Sequence, residues 1–162
     1  MKAETRLAVK IAAAAFVVFL LCTFVVRIDL CKGSEMYPSL RDGDLVISAR
    51  LCTFRTGDIA VYKDPQSGRL RLSRIAAMPG CSVDINEYGE FLVNNMIAAD
   101  FEFYRTEPAE GSEQKYPLAL AEDEFFLLDD NRPVGNDSRS FGPVKGKELI
   151  SKVVFVIRRR GF

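Results

Sequence analysis

A run of sixteen uncharged residues, 11–26, lies near the start of this chain and limits what it can fold into. A single segment that leaves water must satisfy its own backbone hydrogen bonds, which a helix does. At about 1.5 Å per residue, sixteen residues fall short of the roughly 30 Å hydrocarbon layer. Residues 7–10 and Arg27-Ile28 supply the missing length if Lys10 and Arg27 reach back to the headgroups. The expectation is a tip and transmembrane anchor over 1–29, then one domain over 30–162. A cleaved signal peptide is the competing reading, since Lys2, Arg6 and Lys10 precede the apolar run. Against it, Arg27-Ile28-Asp29-Leu30-Cys31 holds no pair of small residues spaced for processing. No second apolar span follows, which predicts a single-pass topology. Lys2, Arg6 and Lys10 before the run are matched by Arg27, Lys32 and Arg41 after it, so basic residues do not orient it.

After the anchor the pattern changes. Short runs rich in valine, isoleucine and phenylalanine alternate with Gly-Asp, Asp-Pro and Pro-Gly breaks, which is a strand pattern. Strands are predicted over 45–49, 59–62, 70–77, 83–86, 90–93, 124–128 and 151–157, with hairpin turns at 64–68 and 86–89. Several short strands at close spacing predict an all-β barrel or coiled sheet. Residues 96–120 mix acids, prolines and aromatics without a period and are expected to be an irregular insertion.

Composition excludes some functions. Lysine plus arginine and aspartate plus glutamate both total 22, with no long block of one sign, so nucleic acid is not an expected partner. The Arg158-Arg159-Arg160 cluster is read as a solvated end or a contact with anionic lipid. The chain has no histidine, and Cys22, Cys31, Cys52 and Cys81 match no metal framework; no metal or other cofactor is expected. Cys22 falls in the apolar run, and any pair among the other three could form one disulfide.

Two segments carry most of the chemistry: Gly33-Ser34-Glu35-Met36-Tyr37-Pro38-Ser39-Leu40 and Leu72-Ser73-Arg74-Ile75-Ala76-Ala77-Met78-Pro79-Gly80. A third, Leu128-Asp129-Asp130-Asn131-Arg132 with Asp137-Ser138-Arg139-Ser140-Phe141-Gly142-Pro143-Val144, follows in order. Together they resemble the boxes G-x-S-M-x-P-T-L, K-R-x-x-x-x-P-G and G-D-N-R…D-S-R-x-F-G-x-V of the type I signal peptidases, family S26. The resemblance runs from about Leu30 to the C-terminus. It implies a signal-peptidase-like β-barrel or coiled sheet behind one transmembrane helix, in the cell membrane, with the β domain on the extracytoplasmic side.

In that family a serine hydroxyl attacks the scissile carbonyl and a neutral lysine takes its proton. Met36, Pro38 and Leu40 fix the register so that the serine position is Glu35, with Ser34 one place early; Arg74, Pro79 and Gly80 put Ser73 at the lysine position. A serine that supports the lysine is replaced by Gly135, the glycine opening G-D-N-R by Asp129, and the aspartate after Pro-Gly by Cys81. The expectation is a catalytically silent relative that keeps a peptide groove and binds an extended segment by strand addition. Signal-peptidase-like proteins without the pair are associated with pilus assembly in Gram-positive bacteria, which makes an exported precursor or a pilin peptide the implied partner, beside the lipid bilayer. The alternatives are an active signal peptidase using Ser34, a reversed pair of Ser73 and Glu35, a lysine recruited from Lys63 or Lys115, and a structural protein whose groove has collapsed. Met36, Pro38, Arg74, Asp130, Arg132, Asp137 and Arg139 are expected to line the groove or support the site, the four charged residues of the third box through ion pairs. Met36 and Tyr37 are expected at the membrane surface and the edge of the cleft.

Overall fold

The computed structural model describes residues 3–98, 104–112 and 114–158. The apolar run forms helix α1 (Ala3–Val25), of which Thr5–Val25 is long and apolar enough to cross a membrane. Its 21 residues span about 32 Å at the α-helical rise. The helix passes directly into strand β1 (Val26–Leu30). Residues 26–29, placed in the anchor by hydropathy, are therefore the edge of a sheet, paired with β2 (Leu45–Ala49) from Val26↔Ala49 to Leu30↔Leu45. The β-branched Val26 and Ile28 favour extended backbone, and β2 satisfies their polar groups, which lipid would not.

The remaining strands are β3 (Ile59–Lys63), β4 (Leu70–Ala77), β5 (Ser82–Ile85), β6 (Phe91–Val93), β7 (Met96–Ile97), β8 (Leu118–Ala119), β9 (Glu124–Leu128), β10 (Val144–Lys145) and β11 (Leu149–Ile157). A seven-stranded curled sheet has the order β1-β2-β11-β3-β4-β9-β10, and a four-stranded sheet the order β7-β6-β5-β8. Each of the seven predicted strands is present with ends within two residues of the expected positions. The other four were hidden: β7, β8 and β10 are only two residues long, too short to show alternation, and β1 was masked by the apolar run. The irregular insertion is tied down at both ends. β7 returns against β6 through Asn94-Asn95, both at positive φ as a tight hairpin requires, and β8 pairs with β5.

Alternation along the strands buries two clusters around the first sheet. One packs Val83, Phe91, Phe126 and Leu128, with Phe91 stacked on Phe126 at a centroid distance of 5.5 Å. The other packs Ala60, Tyr62, Ile75, Leu127 and Val144. A third holds the first sequence box: Met36 and Leu40 turn inward with Cys31 and Val46 against Ile59, Leu72 and Val153. On the outer face next to α1, cross-strand rows Ile28-Ile47-Phe155 and Leu30-Leu45-Ile157 form an apolar surface, with Ile28 62% and Phe155 60% exposed.

Candidate functional site

The three sequence boxes meet. Residues 33–40 form a turn below β1, and the Glu35 carbonyl accepts the Asn131 backbone N–H at 2.8 Å while the Ser34 carbonyl accepts Asn131 Nδ2 at 3.1 Å. Gly33 has φ +87°, and a Cβ there would collide with the carboxylate of Glu35, which folds back over it. Glu35 is half-buried and Ser34 exposed.

Ser73 lies in β4 and is fully buried. Its hydroxyl donates to Asp129 Oδ1, a short hydrogen bond, and the Tyr62 hydroxyl lies 3.5 Å from the Ser73 Oγ. Asp129 directly follows β9 and is also fully buried. Its Oδ2 accepts the Asn136 N–H at 3.1 Å and faces Arg71 Nη2 at 3.5 Å. Burial pushes the Asp129 carboxyl up to about 7, and the charges of Asp137 and Glu35 push the same way, against the Ser73 hydrogen bond and Arg71. Ser73 and Glu35 thus converge on one carboxyl group, one by a hydrogen bond and the other by charge. The Ser73 hydroxyl does face a carboxyl group, but both residues are fully buried, so the pair is closed off from a substrate carbonyl.

The charged residues around this pair form the frame. Arg74 binds Asp130 in a bidentate pair, at 2.7 and 2.6 Å, and donates to the Gly57 carbonyl at 2.7 Å and the Ser39 hydroxyl at 2.9 Å. It therefore fastens the second box to the other two. Asp137 caps α2 (Ser138–Phe141), pairs with Arg139 at 2.9 Å and accepts the Asp129 backbone N–H at 3.0 Å. Arg139 Nη2 donates to the Arg132 carbonyl at 2.7 Å. Arg132 donates to the Asp129 carbonyl in a short bond and to the Thr106 hydroxyl at 3.3 Å. Thr106 belongs to the insertion and is fully buried, a supporting residue that no box in the sequence marks.

Next to Glu35 a cavity of about 150 Å³ runs between the Asp29–Lys32 and Leu70–Leu72 segments, with Glu35, Met36 and Val61 also on its walls. Its two sides are strand edges. Among the described residues, β1 pairs with β2 alone, while β4 pairs with β3 from Leu70 and with β9 from Arg74. Every neighbouring pair from β1 through β2, β11 and β3 to β4 is antiparallel, so β1 and β4 run in the same direction. One extended segment can therefore lie between them in the same sense to both.

Of the sequence-derived positions, Glu35 and Met36 line this cavity; Met36 is mostly core at 3% exposure. Pro38 is half-buried and Tyr37 exposed, with Arg41 5.9 Å from its ring. Lys63 and Lys115 are exposed, Lys63 lying along the turn toward Gly68. The lysine on the groove wall is instead Lys32, also exposed. All four cysteines are free, and burial, with the charges of Asp44, Asp42 and Glu35, raises the Cys31 thiol to about 11, far from a thiolate. Among the described residues, no group of three or more acids or cysteines is arranged to hold a metal ion. Arg159 and Arg160 lie outside the described residues.

The family model described as signal peptidase, peptidase S26, matches residues 4–158. The probable thylakoidal processing peptidase 2 of Arabidopsis thaliana is 30% identical over 135 residues, 76% of this chain and 35% of its own length. The chain thus spans about a third of that plant relative. Signal peptidase I U of Bacillus subtilis is 24% identical over 86% of this chain and 79% of its own length. A Staphylococcus aureus relative named inactive signal peptidase IA is 25% identical over 94% and 91%. A crystal structure of a signal peptidase I from Enterococcus faecalis superposes with a TM-score of 0.51 at 24% identity, covering 64% of this chain and 98% of that one, a likeness of fold.

Proposed function

The chain belongs to the signal peptidase S26 family, and on that footing we propose that it is a membrane-anchored member that no longer cleaves peptide bonds but still holds an extended segment of an exported protein. The observation that carries this reading is the fully buried Ser73 bonded to Asp129 at the place where the family keeps a basic amine. A hydroxyl has no useful basicity near neutral pH, and Glu35 offers a carboxylate where an alcohol nucleophile is needed. The groove between β1, at the edge of its sheet, and the Leu70–Leu72 end of β4, before its pairing with β9 begins, supports retention of binding, since an extended segment can add there as a strand.

Anchoring by α1 is supported by its length and by the exposed apolar rows of β1, β2 and β11 that continue from it. In this arrangement α1 forms the anchor, and the β domain rests on the extracytoplasmic surface with its groove opening next to the bilayer. Exported precursors, including pilin chains, are the partner class, because a segment leaving the membrane beside α1 arrives extended.

The test uses the full chain in detergent micelles with a precursor carrying an Ala-x-Ala site. The precursor is expected to stay intact and to crosslink to a photoreactive group placed at Glu35. Leu70→Trp, which fills the groove from β4, should abolish the crosslink without lowering the melting temperature. Cleavage by the wild type would end this reading. A second reading, cleavage through the exposed Ser34 with Lys32, which lines the groove, as its base, predicts activity that Ser34→Ala removes. Absence of any crosslink would favour a purely structural protein.

A further inference from the structure

We infer that Asp129, accommodated by Gly135, bars an amine base from position 73, so that restoring Glu35 and Ser73 to serine and lysine cannot by itself make this chain a peptidase. The Ser73 hydroxyl donates to Asp129 Oδ1 just before β4 and β9 begin to pair, both residues being fully buried, so the carboxylate lies in front of the Ser73 hydroxyl. Any longer side chain at this position must run beside it.

An amine delivered there meets mostly negative groups. Asp129 is in contact, Asp137 adjoins it through the Asp129 backbone N–H, and Glu35 acts on it by charge; the Tyr62 hydroxyl is neutral and Arg71 is the cation facing Asp129. A carboxylate within ion-pair reach stabilises ammonium over amine. An ammonium has no lone pair with which to take a proton, so the general-base step fails although both named groups would be present.

Gly135 belongs to the same change. Its φ is not in the left-handed region, so backbone conformation does not demand glycine. Space does: a Cβ at 135 would stand 2.9 Å from the Asp129 Cβ and 3.1 Å from both Arg139 Nη2 and Asp137 Oδ2. Asp129 and any side chain at 135 therefore exclude each other. Ser73, Asp129 and Gly135 are one spatial unit, and reversing one member leaves the other two opposed to it.

The test compares S73K with S73K/D129G in the full-length protein, following the additional lysine resonance after reductive 13C-methylation against wild type. In S73K the introduced amine should titrate at or above the ordinary lysine value of about 10.4; in S73K/D129G it should fall by about two units or more as desolvation takes over. Equal titration in the two variants would overturn the inference. In parallel, E35S/S73K/D129G should cleave an Ala-x-Ala precursor about a hundredfold faster than E35S/S73K, the scale of one general base. Equal rates, or a triple variant that melts like wild type and cuts no faster, would also overturn it. The inference does not rest on wild-type inactivity: a wild type that cleaves refutes the non-cleaving reading alone, because the amine titration is read without activity.

Discussion

The Ser73 hydroxyl and the Asp129 carboxylate join β4 to β9 at a point where both residues are completely buried. The bond sits one residue before β4 and β9 begin to pair, at Arg74↔Leu128. A buried polar contact of this kind is costly to leave half-made, which binds the two positions to each other.

The first prediction concerns pH. The folded Asp129 carboxyl is raised from 3.8 to about 7, so the folded state binds a proton that the unfolded chain has released. Its contribution to stability is complete below about pH 4 and is lost as pH rises through about 7, at up to about 1.4 kcal/mol per pH unit. Urea unfolding of wild type and Asp129→Asn from pH 4 to 8 should show the stability difference moving steadily in favour of Asn as pH rises. A difference that does not change with pH would contradict the raised value.

Gly135→Ser should destabilise the protein by about 1–3 kcal/mol, the usual cost of forcing atoms into a packed site. In an Asp129→Gly background the same substitution should cost far less. Urea unfolding of the four members of this cycle should give a coupling of about 1 kcal/mol or more; additivity would show that the two positions do not compete for space.

Arg74→Met should cost about 3–5 kcal/mol, because it strands the buried Asp130 carboxylate without its bidentate partner. Arg74→Met with Asp130→Leu should recover much of that loss. Thermal melts of the three proteins decide it, and a double variant no better than the single would show that the hydrogen bonds to Gly57 and Ser39 matter more than the charge pair.

Much of the fold was legible because strand alternation and turn residues are local signals. The runs from Leu45, Ile59, Leu70 and Glu124 declare themselves through β-branched and aromatic residues, and Asp64 announces its turn by accepting the Gln66 and Ser67 N–H groups. β1 was not legible, since Val26 and Ile28 are as apolar as the helix before them and only pairing with β2 makes them a strand. Of the site, Glu35 and Ser73 were singled out by register, and the structure puts Glu35 on the groove wall and Ser73 in the buried part of β4. Lys32 and Cys31 on the groove wall were not singled out, because a cavity between two strand edges leaves no pattern along the chain.

The sequence by itself determined an apolar helix, an all-β domain and the family boxes, in whose register Glu35 and Ser73 stand where the resemblance places a serine and a lysine. Tertiary structure decided what those positions mean. Asp129 and Gly135 look like two unrelated exchanges six positions apart, and Ser73 a third far upstream. Folding brings a carboxylate onto the hydroxyl and removes the volume in which a side chain at 135 would stand. Charge and excluded volume act through space, so that coupling exists only once β4 and β9 lie side by side.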